Sequence, residues 1–154
     1  MNDKINYCLS ETYKHVKKVQ RNINLFVTDL IHRGENHDNS KFEEPELSTF
    51  AENTHKLGTT EYGTPEYKQL MDSVRPAINH HYSKNRHHPE HWTNGIEDMT
   101  LIDLCEMLAD WKAATERNKD GNIRKSIEIN AKKYNMSPQL RTIFENTVRE
   151  YFKD

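Results

Sequence analysis

The sequence predicts an all-α fold of about six helices, and three observations carry that prediction. Apolar residues recur at spacings of three, four and seven, and no stretch alternates with the period of two that marks a strand. Thr64-Pro65 and Ser137-Pro138 each set a capping hydroxyl in front of a proline, a pattern that opens helices. The chain has 154 residues, 34% of them hydrophobic and 30% charged. That length suits one domain spanning residues 1–154, and its lean apolar content demands amphipathic helices with wide solvated faces.

Ile5, Leu9, Val16, Val19, Ile23, Phe26, Val27 and Leu30 share one face of a long helix over residues 4–33, with Gly34 as its expected stop. GENHDNSKFEEPE is polar and reads as a tight turn into a short helix at 46–57, followed by the loop LGTTEYGT. A helix opened by Thr64-Pro65-Glu66 should run to Lys84, kinked or divided at Pro76, which lacks a backbone donor. NRHHPEHWTNGIED, with Pro89 and Gly95, is a structured loop. Thr100 and Asp103 form a capping box for the helix TLIDLCEMLADWKAATERN, which KDGN ends. Two further helices are expected at 123–134 and 138–152.

Charge narrows the function. Twenty-two Lys and Arg against 24 Asp and Glu leave a net charge of −2. Such a balance excludes a broad basic surface for nucleic acid, while a small basic pocket stays compatible with it. No apolar run approaches the length of a membrane helix and the first residues do not resemble a signal peptide, so a cytoplasmic protein is expected. Cys8 and Cys105 stand alone, with no CxxC pair to suggest structural zinc or a disulfide framework.

Histidine is concentrated. Of nine in the chain, His80, His81, His87, His88 and His91 fall within residues 80–91. Adjacent helical residues point about 100° apart, so only one of His80 and His81 should face a given site. Pro89 holds His88 out of helical conformation, which suits a ligand delivered from a rigid turn to a metal or a phosphate. His37-Asp38 offers imidazole and carboxylate side by side, a donor pair suited to divalent transition metals. The alternative is a solvated His beside a helix-capping Asp. His15 lies at the margin of the first helix's apolar face and gains meaning only in such company.

Asp103, Glu106 and Asp110 share an acidic stripe on their helix, with Leu101, Leu104, Leu108 and Trp111 on the opposite side. No Lys or Arg lies within the stripe, and its flanks are small or apolar. Clustered carboxylates in such surroundings repel one another unless a cation compensates.

The order His15, HDNSK, a histidine-rich loop and an aspartate in LCEMLADWKAA resembles the HD-domain superfamily of metal-dependent phosphohydrolases. The resemblance spans residues 15–115 and implies an HD-like helical domain in which His15, His37, Asp38 and Asp110 bind one metal. HDNSK is similar to the family's HDxGK variant and implies that Lys41 lies near a substrate phosphate. RHHPEHW resembles the two-metal branch, which implies His81 and one or both of His87 and His88 as ligands of a second ion. The pattern HD, HHxxxNxHH and a DW-containing helix is also similar to a small bacterial and phage family without an assigned activity.

The expected activity is hydrolysis of a nucleotide or another small phosphoester, using one or two ions of Mn, Fe, Co or Zn to activate water. Lys41 and Arg86 are candidates to neutralise phosphate charge, although Lys41 could instead be a solvated lysine paired with Glu44. Asp103 or Glu106, and less strongly Glu44, could orient a ligand histidine or accept a proton from water. Superfamily members with two irons can instead be oxygenases, and a non-catalytic module binding metal or nucleotide is a third reading. The sequence leaves homo-oligomerisation open.

Overall fold

The computed structural model describes residues 2–61, 63–117 and 119–152. Among them the protein is all-helical, with six α-helices: α1 (Asn2–Asn36), α2 (Glu46–Thr59), α3 (Pro65–Lys84), α4 (Leu101–Glu116), α5 (Ile123–Lys133) and α6 (Pro138–Tyr151). Short 3-10 turns at Asn39–Phe42, Pro89–His91 and Gly95–Asp98 punctuate the connections. The chain divides into two compact units, Met1–Asn36 and His37–Asp154. Tyr62 in the expected loop and Asn118 at the end of the expected fourth helix lie outside the described residues.

The first unit is α1, which continues past Gly34 rather than stopping there. The Asn36 side-chain amide donates to the His32 carbonyl at 2.8 Å, and the reversal of the chain comes two residues later, at Asp38. Asp38 takes φ 58° and ψ 18°, a left-handed conformation that aspartate tolerates better than most non-glycine residues.

In the second unit, α4, α5 and α6 enclose the main core. Met107, Ile127 and Val148 are almost fully buried in it, and the Trp111 ring stacks on Tyr134 and meets Phe144 edge-on. Leu101, expected on the apolar side of α4, is exposed in the first turn, whereas Leu104 and Leu108 are buried as expected. Helices α2 and α3 pack on one another, and Val74 and Ala77 of α3 are fully buried.

The sequence signals for helix starts hold atom by atom. Thr64 and Ser137 accept from the backbone N–H groups of Tyr67 and Leu140, each at 3.2 Å. Thr100 and Asp103 form the reciprocal capping box. Pro76 does not divide α3, which runs unbroken from Pro65 to Lys84 with the proline on its exposed face.

Candidate metal centre

Four pieces of backbone deliver the site. The left-handed turn at Asp38 lets adjacent His37 and Asp38 side chains approach a common centre. The C-terminal turn of α3 brings His81, and the loop fixed by Pro89 brings His87 and His88. The middle of α4 contributes Glu106 and Asp110.

The carboxylate of Asp38 stands between two groups of donors. Its Oδ1 lies 3.3 Å from His81 Nε2 and 3.5 Å from His87 Nε2, and His88 Nε2 is 2.9 Å from that of His81. Its Oδ2 lies 3.5 Å from His37 Nε2, which is 3.6 Å from Asp110 Oδ1, and it accepts from the Lys41 ammonium at 2.6 Å. Asp38, His81, His87 and His88 form a set close enough to share one ion, and His37, His87 and Glu106 form another.

Behind the histidines, carboxylates fix the ring tautomers. Glu46, the first residue of α2, is fully buried and faces Nδ1 of His80 and Nδ1 of His81, each at 2.8 Å. Glu106 Oε1 lies 2.9 Å from His37 Nδ1 and 3.0 Å from His87 Nδ1. An ionised carboxylate only accepts, so each Nδ1 carries the proton, and a neutral ring then turns a bare Nε2 lone pair inward. Asp38 Oδ1 and His87 Nε2 are buried without a hydrogen-bond partner. Two acceptors facing each other in a buried space need a cation or proton between them.

The electrostatics agree with that need. Hydrogen bonds to the Asp110 and Glu106 carboxylates, with Asp38 nearby, push the His37 imidazole up to about 10 against the opposing effect of burial. Burial, then the neighbouring His87 and His81, pushes His88 down to about 4. Burial also lowers His81. For Asp38 burial acts upward, but the Lys41 ammonium and the His37 and His81 rings outweigh it and hold the carboxyl below its usual range. Asp110 is likewise lowered: burial opposes, and the hydrogen bond from His37 prevails.

Not every expected residue joins this centre. Asp103 is fully buried at the start of α4, where its carboxylate accepts from the Thr100 N–H and hydroxyl and from the Arg86 guanidinium at 3.1 and 3.2 Å. Arg86, whose guanidinium also lies 4.5 Å from the centre of the Trp92 ring, is therefore engaged in holding the loop to α4. Neither has the position expected of a catalytic group. Lys41 pairs with Asp38 rather than Glu44, which instead accepts from the Ser48 hydroxyl. His15 lies exposed on α1, in the first unit. His91 Nδ1 donates to the Tyr82 carbonyl at 2.9 Å and is not part of either set.

Sequence reasoning missed Glu46. A glutamate in an acidic turn before a helix reads as a solvated residue, and nothing in EEPEL distinguishes the one that is buried. Asn85 was missed as well. Its side-chain amide donates to Ser40 Oγ at 2.8 Å and to the His81 carbonyl at 2.8 Å, joining the Asp38 turn to the end of α3.

An all-helical protein with a carboxylate-backed histidine cluster that could hold a metal ion is the class defined by this fold and site. The chain belongs to the DUF5662 family, a family of unknown function whose model matches residues 4–150. No curated protein and no solved structure gives a match to the chain. Among the described residues no helix is long and apolar enough to cross a membrane.

Proposed function

We propose that the chain is a metal-dependent phosphohydrolase acting on a nucleotide or another small phosphoester. One observation carries the reading: the inward Nε2 atoms of His81 and His87 meet Asp38 Oδ1 in a buried space where two of these three atoms lack any hydrogen-bond partner. Imidazole and carboxylate donors of this kind suit Mn²⁺, Fe²⁺, Co²⁺ or Zn²⁺. When bound, such an ion supplies hydroxide near neutral pH and polarises a phosphoryl oxygen.

The chain's own groups divide the remaining work. Asp38, His81, His87 and His88 would hold one ion, and His37, whose Nε2 lies 3.5 Å from Asp38 and 3.6 Å from Asp110, would join those two carboxylates in holding a second. Glu46 and Glu106 keep the ring Nδ1 atoms protonated and the rings in place. Lys41, half exposed beside Asp38, offers the positive charge nearest the ligands to a phosphate oxygen. Charge favours two ions over one: Asp38, Glu46, Glu106 and Asp110 outnumber Lys41 and the raised His37, an excess of negative charge that a dianionic substrate would not approach unaided. The likeness of HDNSK and RHHPEHW to the HD superfamily supports the same assignment.

Metal analysis of protein purified without a histidine tag, followed by a panel of phosphomonoesters and phosphodiesters with each ion supplied, tests the reading. Metal-dependent phosphate release or diester opening that is lost in Asp38→Asn is expected. Oxygen uptake with iron and a small organic substrate, without hydrolysis, would replace it by an oxygenase, and tight nucleotide binding without turnover by a regulatory module.

A further inference from the structure

Helix α1 carries an apolar face that its own unit does not cover. Ile5, Leu9, Val16, Val19, Ile23 and Phe26 are each between 41% and 61% exposed, and α1 has no buried residue. The order of these residues is more regular than amphipathicity requires. Leu9, Val16, Ile23 and Leu30 recur every seven residues, and Ile5, Thr12, Val19 and Phe26 form a second series three residues after the first. The alternation of four and three holds without interruption from Ile5 to Leu30, about 39 Å of helix at 1.5 Å per residue.

That period points to one kind of surface. A straight helix drifts about 20° per heptad against a repeat of 3.5, so a stripe this strict stays in register only with a partner helix that supercoils with it. A globular face selects the broader 3.6 pattern. Charge then points to the partner's identity. Lys14 and Arg21 lie on the side opposite the seam, and Lys4, Glu11, Lys17 and Lys18 lie on its flanks away from the contact. From Ile5 to Val27, neither the seam nor the positions bordering it carry a single Asp, Glu, Lys or Arg. A charged border would repel an identical copy wherever like met like, whereas this one as far as Val27 carries no fixed charge, and Asp29 beyond it is paired with Arg33.

We propose that α1 is a dimerisation segment that pairs with α1 of a second copy as a two-stranded coiled coil. Thr12 is a polar interruption in an otherwise apolar seam and holds the pair below its full strength. The inference uses none of the residues of the two donor sets, which are drawn from the second unit.

Sedimentation equilibrium of the full chain tests it. The wild type at tens of micromolar should sediment at about twice 18.3 kDa. The double variant Val16→Asp with Ile23→Asp should be monomeric with unchanged metal content, and Lys14→Glu, on the opposite side, should remain a dimer. Thr12→Leu should tighten the dimer at least about tenfold, a gain that misfolding cannot imitate. A monomeric wild type, meaning the stripe is covered within one chain, would overturn the proposal. So would an assembly larger than two, a dimer that survives both aspartates, or no tightening in Thr12→Leu.

Discussion

One carboxylate of Glu46 serves two histidines: Oε1 lies 2.8 Å from Nδ1 of His80 and Oε2 lies 2.8 Å from Nδ1 of His81. Only His81 also faces the cluster, so the half of the pair that matters for the site depends on a residue from another helix. Glu46→Gln keeps the shape and removes the charge that fixes the His81 proton on Nδ1. Metal affinity should fall about 10-fold to 100-fold, the range for groups that orient a ligand, and competition with a chelating dye would measure it. An unchanged affinity would show that His81 is oriented without Glu46.

Asp38→Asn separates charge from conformation, because asparagine also tolerates the left-handed backbone at this position. Metal affinity should fall by more than the roughly 100-fold expected for an orienting group, with the fold retained by circular dichroism. Lys41→Met makes the complementary test. The Lys41 ammonium touches Asp38 Oδ2 but coordinates nothing, so metal content should persist while phosphoester turnover is lost.

Arg86→Met should act on stability and leave the chemistry alone. The guanidinium makes two hydrogen bonds to the buried Asp103 carboxylate, and charged hydrogen bonds of that kind are each worth about 1.5–3 kcal/mol. Arg86 is itself half exposed, so water offsets part of the loss. Thermal denaturation should show a drop of several degrees. The KM for a phosphoester should not move, whereas an Arg86 that contacted substrate would raise it.

For the metal-free chain, two histidines give stability a maximum near pH 6.5. His88 is held at about 4 when folded, so between pH 6.5 and 4 the unfolded state binds more protons and stability falls as pH falls. Asp38 and Asp110, both lowered, add stability that is lost at still lower pH, as it falls through their depressed values. His37 is raised to about 10, and its contribution, complete below 6.5, disappears as pH rises through 10. Melting temperature against pH, after chelator treatment, should show both arms. His37→Gln should flatten the alkaline arm and His88→Gln should weaken the acidic one.

Much of the fold is written in local signals. Hydroxyl-proline starts and the Thr100–Asp103 box depend on a few adjacent residues, which is why their positions can be read directly. The exit from α1 could not: Gly34 lies inside the helix, and the turn is made by Asp38, whose left-handed backbone is tied to its place in the cluster. The site was partly legible. His37, Asp38, His81, His87, His88 and Asp110 stand out by type and density, and the structure gathers them. The acidic stripe misled at one end, since Asp103 and Asp110 share a face but lie about 10 Å apart along the axis, and only the second reaches the cluster. Long-range partners such as Glu46 leave no trace in their own surroundings.

The bond from Arg86 to Asp103 also couples two motions. Asp103 caps α4 through Thr100, Arg86 holds that same carboxylate, and the Trp92 indole donates back to the Arg86 carbonyl at 2.9 Å. Lifting the histidine loop away would break the Arg86 contact to the carboxylate that caps α4. In hydrogen exchange, amides of residues 87–92 and 100–104 should open together with one free energy, as a single cooperative unit. The histidine loop and the cap of α4 thus share one anchor, the Asp103 carboxylate.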